Sequence, residues 1–196
     1  MNEIMNTHAL PNILSFVHQL LRSHIQAGDD VMDGTAGNGH DTLLLAQCVG
    51  NTGKVYAFDI QAAALDATAQ RLQIHGLCNH VKLIQDGHEN AAQYISVQLS
   101  AAVFNLGYLP SGDKNITTMP ETSVQAIKVA LNLLKEGGLL VVVIYHGHQT
   151  GKLEKQALER FFSQLPTQNY RVMQYALLNR PNCPPFVIAV EKIKAA

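Results

Sequence analysis

Val31-Met-Asp-Gly-Thr-Ala-Gly-Asn-Gly-His-Asp-Thr42 is the stretch that decides how this chain folds. A short apolar run ends in an acid, Asp33, and glycines at 34, 37 and 39 separate it from a run of helical character. Gly37 and Gly39 let the backbone turn tightly and come close to a ligand where a Cβ would clash. The segment reads as strand, loop, helix. A dinucleotide-binding loop would carry G-x-G-x-x-G and set a pyrophosphate on the helix N-terminus. This one reads G-x-x-G-x-G, with a carboxylate on the strand tip that repels a pyrophosphate but attracts an amino group or another cation.

Outward from this loop, strand-like and helix-like runs alternate. Strands are predicted at 30–33, 54–58, 81–84, 101–105, 139–145, 170–177 and 186–190, and helices near 41–48, 62–75 and 123–135. The helix near 123–135 has Lys135 in its last turn and stops at Gly137–Gly138. A final helix places Leu153, Ala157, Phe161 and Leu165 on one face. Ahead of the loop, Leu10, Ile13, Leu14, Val17, Leu21 and Ile25 predict an opening helix at about 9–26.

Strands that alternate with helices require right-handed crossovers and a parallel sheet covered on both faces. The last two strands lie too close for a crossover helix and form an antiparallel hairpin at a sheet edge. The fold class is α/β: one domain over 1–196, a doubly wound, mostly parallel seven-stranded sheet with an antiparallel C-terminal hairpin. Ligands of such sheets bind beyond the C-terminal ends of the strands.

Composition excludes several classes. The 196 residues are 47% apolar and 15% charged, which fits a globular domain and not a long disordered arm. Cys48, Cys78 and Cys183 are odd in number without C-x-x-C spacing, which argues against a disulfide framework or a cysteine-built metal site and for a reducing cytoplasm. The longest apolar run, Leu139 to Tyr145, falls far short of the ~20 residues that span a bilayer, and Glu3 sits where a signal peptide wants basic residues. No membrane association is expected. Net charge is −1, but unevenly spread: up to Leu109 there are four Lys/Arg against nine Asp/Glu, and from Pro110 onward ten against six. The second half offers a mildly basic surface for a polyanion, or the asymmetry is composition noise.

Two further acids follow strands. Asp59 ends the second, in Val55-Tyr-Ala-Phe-Asp-Ile-Gln61, where it is placed to take both hydroxyls of a ribose or to cap the next helix. Asp86 follows the third, in Leu83-Ile-Gln-Asp-Gly-His-Glu89, where it takes the exocyclic amine of an adenine with His88 flanking the ring, or caps the helix beginning near His88. With Asp33, these acids outline an adenosine carrying an amino-acid tail.

These residues resemble a class I S-adenosylmethionine-dependent methyltransferase. Asp33, Thr35, Gly37 and Gly39 occupy its first motif, with threonine in place of the first glycine. More narrowly, the glycine loop, Phe58-Asp-Ile-Gln61, Phe104-Asn-Leu-Gly-Tyr-Leu-Pro-Ser-Gly-Asp-Lys114, Tyr145-His-Gly-His148 and Asn179-Arg-Pro-Asn-Cys-Pro-Pro185 resemble the bacterial family labelled rRNA methylases. Members of that family are tRNA methyltransferases acting on 5-aminomethyl-2-thiouridine at the wobble position. The resemblance implies S-adenosylmethionine as cofactor, held by Asp33, Thr35, Gly37, Asn38, Gly39, Asp59, Gln61, Asp86, His88 and Asn105. It also implies a cytoplasmic homodimer, no metal, and the anticodon stem-loop of tRNA as partner. The family's serine is replaced by Gly87, which leaves the backbone N–H available.

Methyl transfer from a sulfonium is an in-line displacement, so the protein supplies positioning and a correctly protonated nucleophile. The loop Asn105-Leu-Gly-Tyr-Leu-Pro110 resembles the Asn/Asp-Pro-Pro-Tyr loop of amino-methylating enzymes, with Leu106 and Gly107 in place of the prolines. Asn105 is expected to hold the amine and Tyr108 to pack on the base; alternatively Asn105 closes a turn and Tyr108 fills the core edge. Asp113, Lys114 and Thr117 follow as nucleotide contacts or a solvated loop. His146 and His148 share one face at a strand end, for phosphate or base contact, with no carboxylate or cysteine to complete a metal set. Arg180 suits an RNA phosphate or a salt bridge within the hairpin. A nearly minimal fold leaves an open acceptor face that fits an unstacked base in a loop. The alternatives are a small-molecule amine methyltransferase, an rRNA methyltransferase and a non-catalytic or NAD-dependent α/β protein.

Overall fold

Helix α1 spans Ile13–His24, because Asn12 caps it by accepting from Ser15 N–H and Ile13, Val17 and Leu21 bury one stripe. It begins later than about 9; Leu10 precedes the cap and lies exposed. The computed structural model describes residues 9–107, 118–147 and 149–193. Strand β1 (Asp30–Asp33) leads through the glycine loop into α2 (His40–Val49), then β2 (Lys54–Phe58), α3 (Ala62–Ile74) and β3 (Val81–Ile84). A 3-10 turn at His88–Gln93 precedes β4 (Leu99–Leu106), α4 (Pro120–Leu133) and β5 (Leu134–Ile144). Helix α5 (Gln149–Ser163) leads to the hairpin strands β6 (Tyr170–Tyr175) and β7 (Phe186–Lys192).

The sheet order is β3-β2-β1-β4-β5-β7-β6. The first five are parallel, and β7 pairs antiparallel with both β5 and β6, as the hairpin required. One apolar layer joins Val31, Val55, Val103 and Val141 to α1 and α2. The opposite layer joins Met32, Phe58, Phe104 and Val142 to α4 and α5. Alternate side chains of a strand face opposite ways, so each central strand feeds both layers. Strand order reverses between β1 and β4, which puts the crevice above the glycine loop.

Two boundaries correct the sequence reading. Helix α4 stops at Leu133, before Lys135, and 134–138 already belong to the irregular start of β5. The cause is Lys192, whose buried Nζ donates to the carbonyls of Leu131 and Leu134, satisfying groups at the end of α4 from a neighbouring strand. In α5 the buried stripe is Gly151, Glu154, Leu158 and Phe162, one residue away from the expected one, and Leu153 is exposed. Glu154 accepts from the hydroxyls of Thr118 and Ser123, so burying it satisfies three polar groups together.

Candidate functional site

Beyond the C-terminal ends of β1 to β5 lies a cavity of about 910 Å³, near the upper end of the roughly 300–1,000 Å³ usual for small-molecule sites. Its lining includes the glycine loop 34–38, Asp59, Gln61, Asp86 and His88, together with Leu14, His18, Asp41, Asn105, Tyr145 and His146. The structure therefore brings most of the expected cofactor residues to one hollow. Tyr108, Asp113, Lys114, Thr117 and His148 lie outside the described residues.

The loop takes its shape from its own side chains. Gly34 has no room for a Cβ, which would sit 2.2 Å from the Phe104 ring. At Gly39 φ is +75°, and a Cβ would lie 2.9 Å from the Thr68 backbone. The close approach at Gly39 is thus to α3, with the left-handed conformation starting α2. Thr35 uses its Oγ1 to accept the Asn105 N–H at 2.7 Å and so ties the loop to the tip of β4.

Asp33 does not line the cavity. It is fully buried, its Oδ1 accepting from Thr35 N–H and its Oδ2 from the Thr42 hydroxyl at 2.6 Å. Burial, and then the neighbouring Asp41 carboxylate, push its carboxyl up to about 7. It braces the loop, and Asp41, to which the sequence reading gave no role, is the acid of this segment that lines the cavity.

This shift has a measurable sign. The unfolded chain releases the Asp33 proton near 3.8 and the folded chain near 7, so the unfolded state binds fewer protons in between. Stability from this group therefore falls as pH rises across that window, by on the order of a few kcal/mol. In urea unfolding at pH 4.5 and 7.5, the gap between wild type and Asp33→Asn should shift in favour of the variant at the higher pH. Parallel pH slopes would refute the assignment.

Asp59 is not the cap of α3; that position is Gln61, whose N–H donates to Asp59 Oδ1. Its Oδ2 accepts from Gly37 N–H at 2.9 Å, linking the second strand tip to the glycine loop. Asp86 accepts from the Tyr94 hydroxyl, Asn90 and Gly87 N–H, and these donors hold its carboxyl below the usual carboxylate range. The Gly87 N–H is thus engaged by Asp86, contrary to the expectation that it stays available. His88 donates from Nδ1 to the Gly34 carbonyl and packs edge-on against Phe104, which fixes the ring at the cavity wall.

Asn105 donates its Nδ2–H to Asp41 Oδ2, while Asp41 Oδ1 lies 2.7 Å from His18 Nε2. The Asn105 Oδ1 is a buried acceptor with no hydrogen-bond partner among the described residues. His146 lines the cavity and packs edge-on against Phe186. Arg180 is exposed in the turn that also brings Cys183 to the cavity; the hairpin's ion pair is Arg171–Glu191 instead. Among the described residues no three His, Cys, Asp or Glu side chains gather as a metal set, and no helix is long and apolar enough to cross a membrane.

Residues 55–191 match the family described as "Putative rRNA methylase". The chain belongs to that family. It is 36% identical over 192 residues to the chloroplastic tRNA (mnm(5)s(2)U34)-methyltransferase of Arabidopsis thaliana, covering 89% of this chain and 68% of that one. Among solved structures it resembles an rRNA methylase from Clostridium thermocellum, with 42% identity, a TM-score of 0.93 and coverage of 95% and 100% of the two chains. It also resembles a methyltransferase from Streptococcus mutans in complex with SAH, with 38% identity, a TM-score of 0.86 and coverage of 93% and 99%. Family, fold and cavity together make this chain an S-adenosylmethionine-dependent methyltransferase.

Proposed function

We propose that this methyltransferase acts on RNA, at the amine of 5-aminomethyl-2-thiouridine in the tRNA wobble position. The carrying observation is the Oδ1 of Asn105, which has no hydrogen-bond partner among the described residues. Asp41, an acceptor, draws the amide nitrogen toward itself, so the amide oxygen is left to receive an N–H from a ligand at the acceptor end. A buried acceptor without a partner is costly, and an amine donor relieves it.

The other end fits the cofactor. Asp59 accepts the ribose hydroxyls, Asp86 and His88 flank the adenine, and Thr35, Gly37, Asn38 and Gln61 form the cradle, with Gly39 turning the chain into α2 and Asp33 bracing the loop. The cofactor supplies a methyl group on a positively charged sulfur. Tyr108, Asp113, Lys114 and Thr117 extend the acceptor side, and His146, His148 and Arg180 meet phosphate or flanking bases. The 36% identity to a tRNA methyltransferase supports this acceptor. Lys135, Lys155 and Arg171 are paired with Asp29, Glu159 and Glu191, so RNA attraction rests on fewer cations than the sequence count implied. The reading includes a cytoplasmic homodimer, whose two basic faces jointly offset the near-zero net charge.

The test is a product assay. The protein is incubated with methyl-labelled S-adenosylmethionine and tRNA lacking the modification, and the RNA is digested to nucleosides. Labelled 5-methylaminomethyl-2-thiouridine is expected. Label confined to ribosomal RNA or to a small-molecule pool would overturn the assignment.

A further inference from the structure

His18, Asp41 and Asn105 come from three separate elements, α1, α2 and β4, yet they form one hydrogen-bonded chain and all line the cavity. The apolar stripe Ile13, Val17 and Leu21 fixes the rotation of α1 on the sheet. Leu14 and His18, one turn apart, then fall together on the flank that meets the cavity. We propose that His18 is the proton acceptor for the target amine, with Asp41 as the residue that positions both the imidazole and the Asn105 amide. This rests on the amine acceptor proposed above.

Near neutral pH an alkylamine is largely an ammonium ion without a lone pair, so a proton must leave before the nitrogen can attack. Asn105 Oδ1 can orient an N–H but is no base. The carboxylate of Asp41 already receives a donor on each oxygen. A carboxylate accepts, so His18 Nε2 carries the hydrogen toward Asp41 and the ring lone pair sits on Nδ1. An imidazole can take up and return a proton near neutral pH. The side chain of His18 is 36% exposed and that of Asp41 only 11%, so the chain ends at solvent on the His18 side, where the proton is released.

Among the described residues, the titratable groups on the elements packed around His18 are the following. Helix α2 brings Asp41 and His40, and Arg71 of α3 bonds His40. Asp33 lies behind Asp41. Tyr145 and His146 follow β5 at the cavity wall; burial, and then Asp41, raise the Tyr145 phenol and keep it neutral. On α1 itself, Arg22 and His24 lie in the last turn, with His24 bonding the Ser100 carbonyl. On β6, Tyr175 donates to the Pro11 carbonyl. Glu191 and Lys192 of β7 are engaged with Arg171 and with the end of α4.

The step balances as follows. The ammonium gives one proton to His18 Nδ1, leaving a neutral amine and an imidazolium. The amine lone pair then forms the bond to the methyl carbon as the carbon–sulfur bond breaks, its electron pair staying on sulfur. The products are a secondary ammonium and the neutral thioether, and the imidazolium returns its proton to water.

The experiment compares wild type with His18→Asn, and Asp41→Asn as a second variant. Methyl transfer to unmodified tRNA is followed by single turnover from pH 6.5 to 9.5. For His18→Asn the rate at pH 7 should drop about 10²-fold and recover substantially by pH 9, where solution supplies free amine. Imidazole added at pH 7 should restore part of the rate. SAH affinity by calorimetry should stay within threefold. Independently of turnover, the His18 ring nitrogen resonances should move when an anticodon stem-loop bearing the aminomethyl group is added, and not with the same stem-loop lacking it. An unchanged pH profile together with silent resonances would overturn the proton-acceptor role. Absence of tRNA product from wild type would instead overturn the amine reading on which it rests.

Discussion

Asn105→Ala is expected to lower kcat/KM for methyl transfer on the order of 10³-fold, the largest effect of any single substitution in this site. On the proposed reading the variant removes the acceptor that orients the target N–H as well as the donor that Asp41 receives, so placement and protonation of the nucleophile suffer together. The backbone N–H of residue 105 still reaches Thr35 Oγ1, so the glycine loop keeps its tether to β4. A folding defect and a positioning defect are thereby separable. Single-turnover rates with saturating tRNA, beside thermal unfolding with SAH present, make the comparison. Near-normal turnover in the folded variant would remove Asn105 from the chemistry.

The second large effect is expected at Asp59. Asp59→Ala should weaken SAH binding about 100-fold by calorimetry, equivalent to about 2.7 kcal/mol, within reach of two charge-assisted hydrogen bonds to a ribose at about 1.5–3 kcal/mol each. Part of the loss comes from the Gly37 N–H, which Asp59 Oδ2 holds in place. Asp59→Asn keeps an acceptor and should fall between the two. Affinity for SAH within threefold of wild type in Asp59→Ala would rule out the ribose role.

Much of this was legible in the sequence because parallel sheets write their strands as short apolar runs and their ligand loops directly after them. The segments 54–58 and 81–84 coincide with β2 and β3, and the short spacing before β7 announced the hairpin. Asp59, Asp86 and His88 all reach the cavity, since each follows the C-terminal end of a parallel strand, where the crevice of such a sheet opens. The errors came where a long-range partner outweighed a local pattern. Lys135 looked like a helix end, but Lys192, nearly sixty residues on in sequence, ends α4 earlier. Leu153 looked buried, but Glu154 has two hydroxyl donors waiting in Thr118 and Ser123.

His18 and Asp41 were missed for a related reason. A histidine beside an apolar stripe reads as helix surface, and an acid in a first helical turn reads as a favourable dipole partner. Only the pairing of α1 with α2 brings the two within 2.7 Å. The available hint was Asp41 itself, sitting inside the glycine segment, two residues after its last glycine.

The direction of β7 bears on how such a catalyst can change its clientele. Because it runs against β5, with Phe186 beside Ile144, its beginning and not its end sits at the rim. The ten-residue turn over 176–185, carrying Arg180 and Cys183, is therefore a rim loop anchored at both ends by the β6–β7 ladder. It can lengthen, shorten or change its charges without disturbing a crossover helix or the cofactor's wall. A change of acceptor can thus draw on variation in this turn without any change in the parallel half of the sheet.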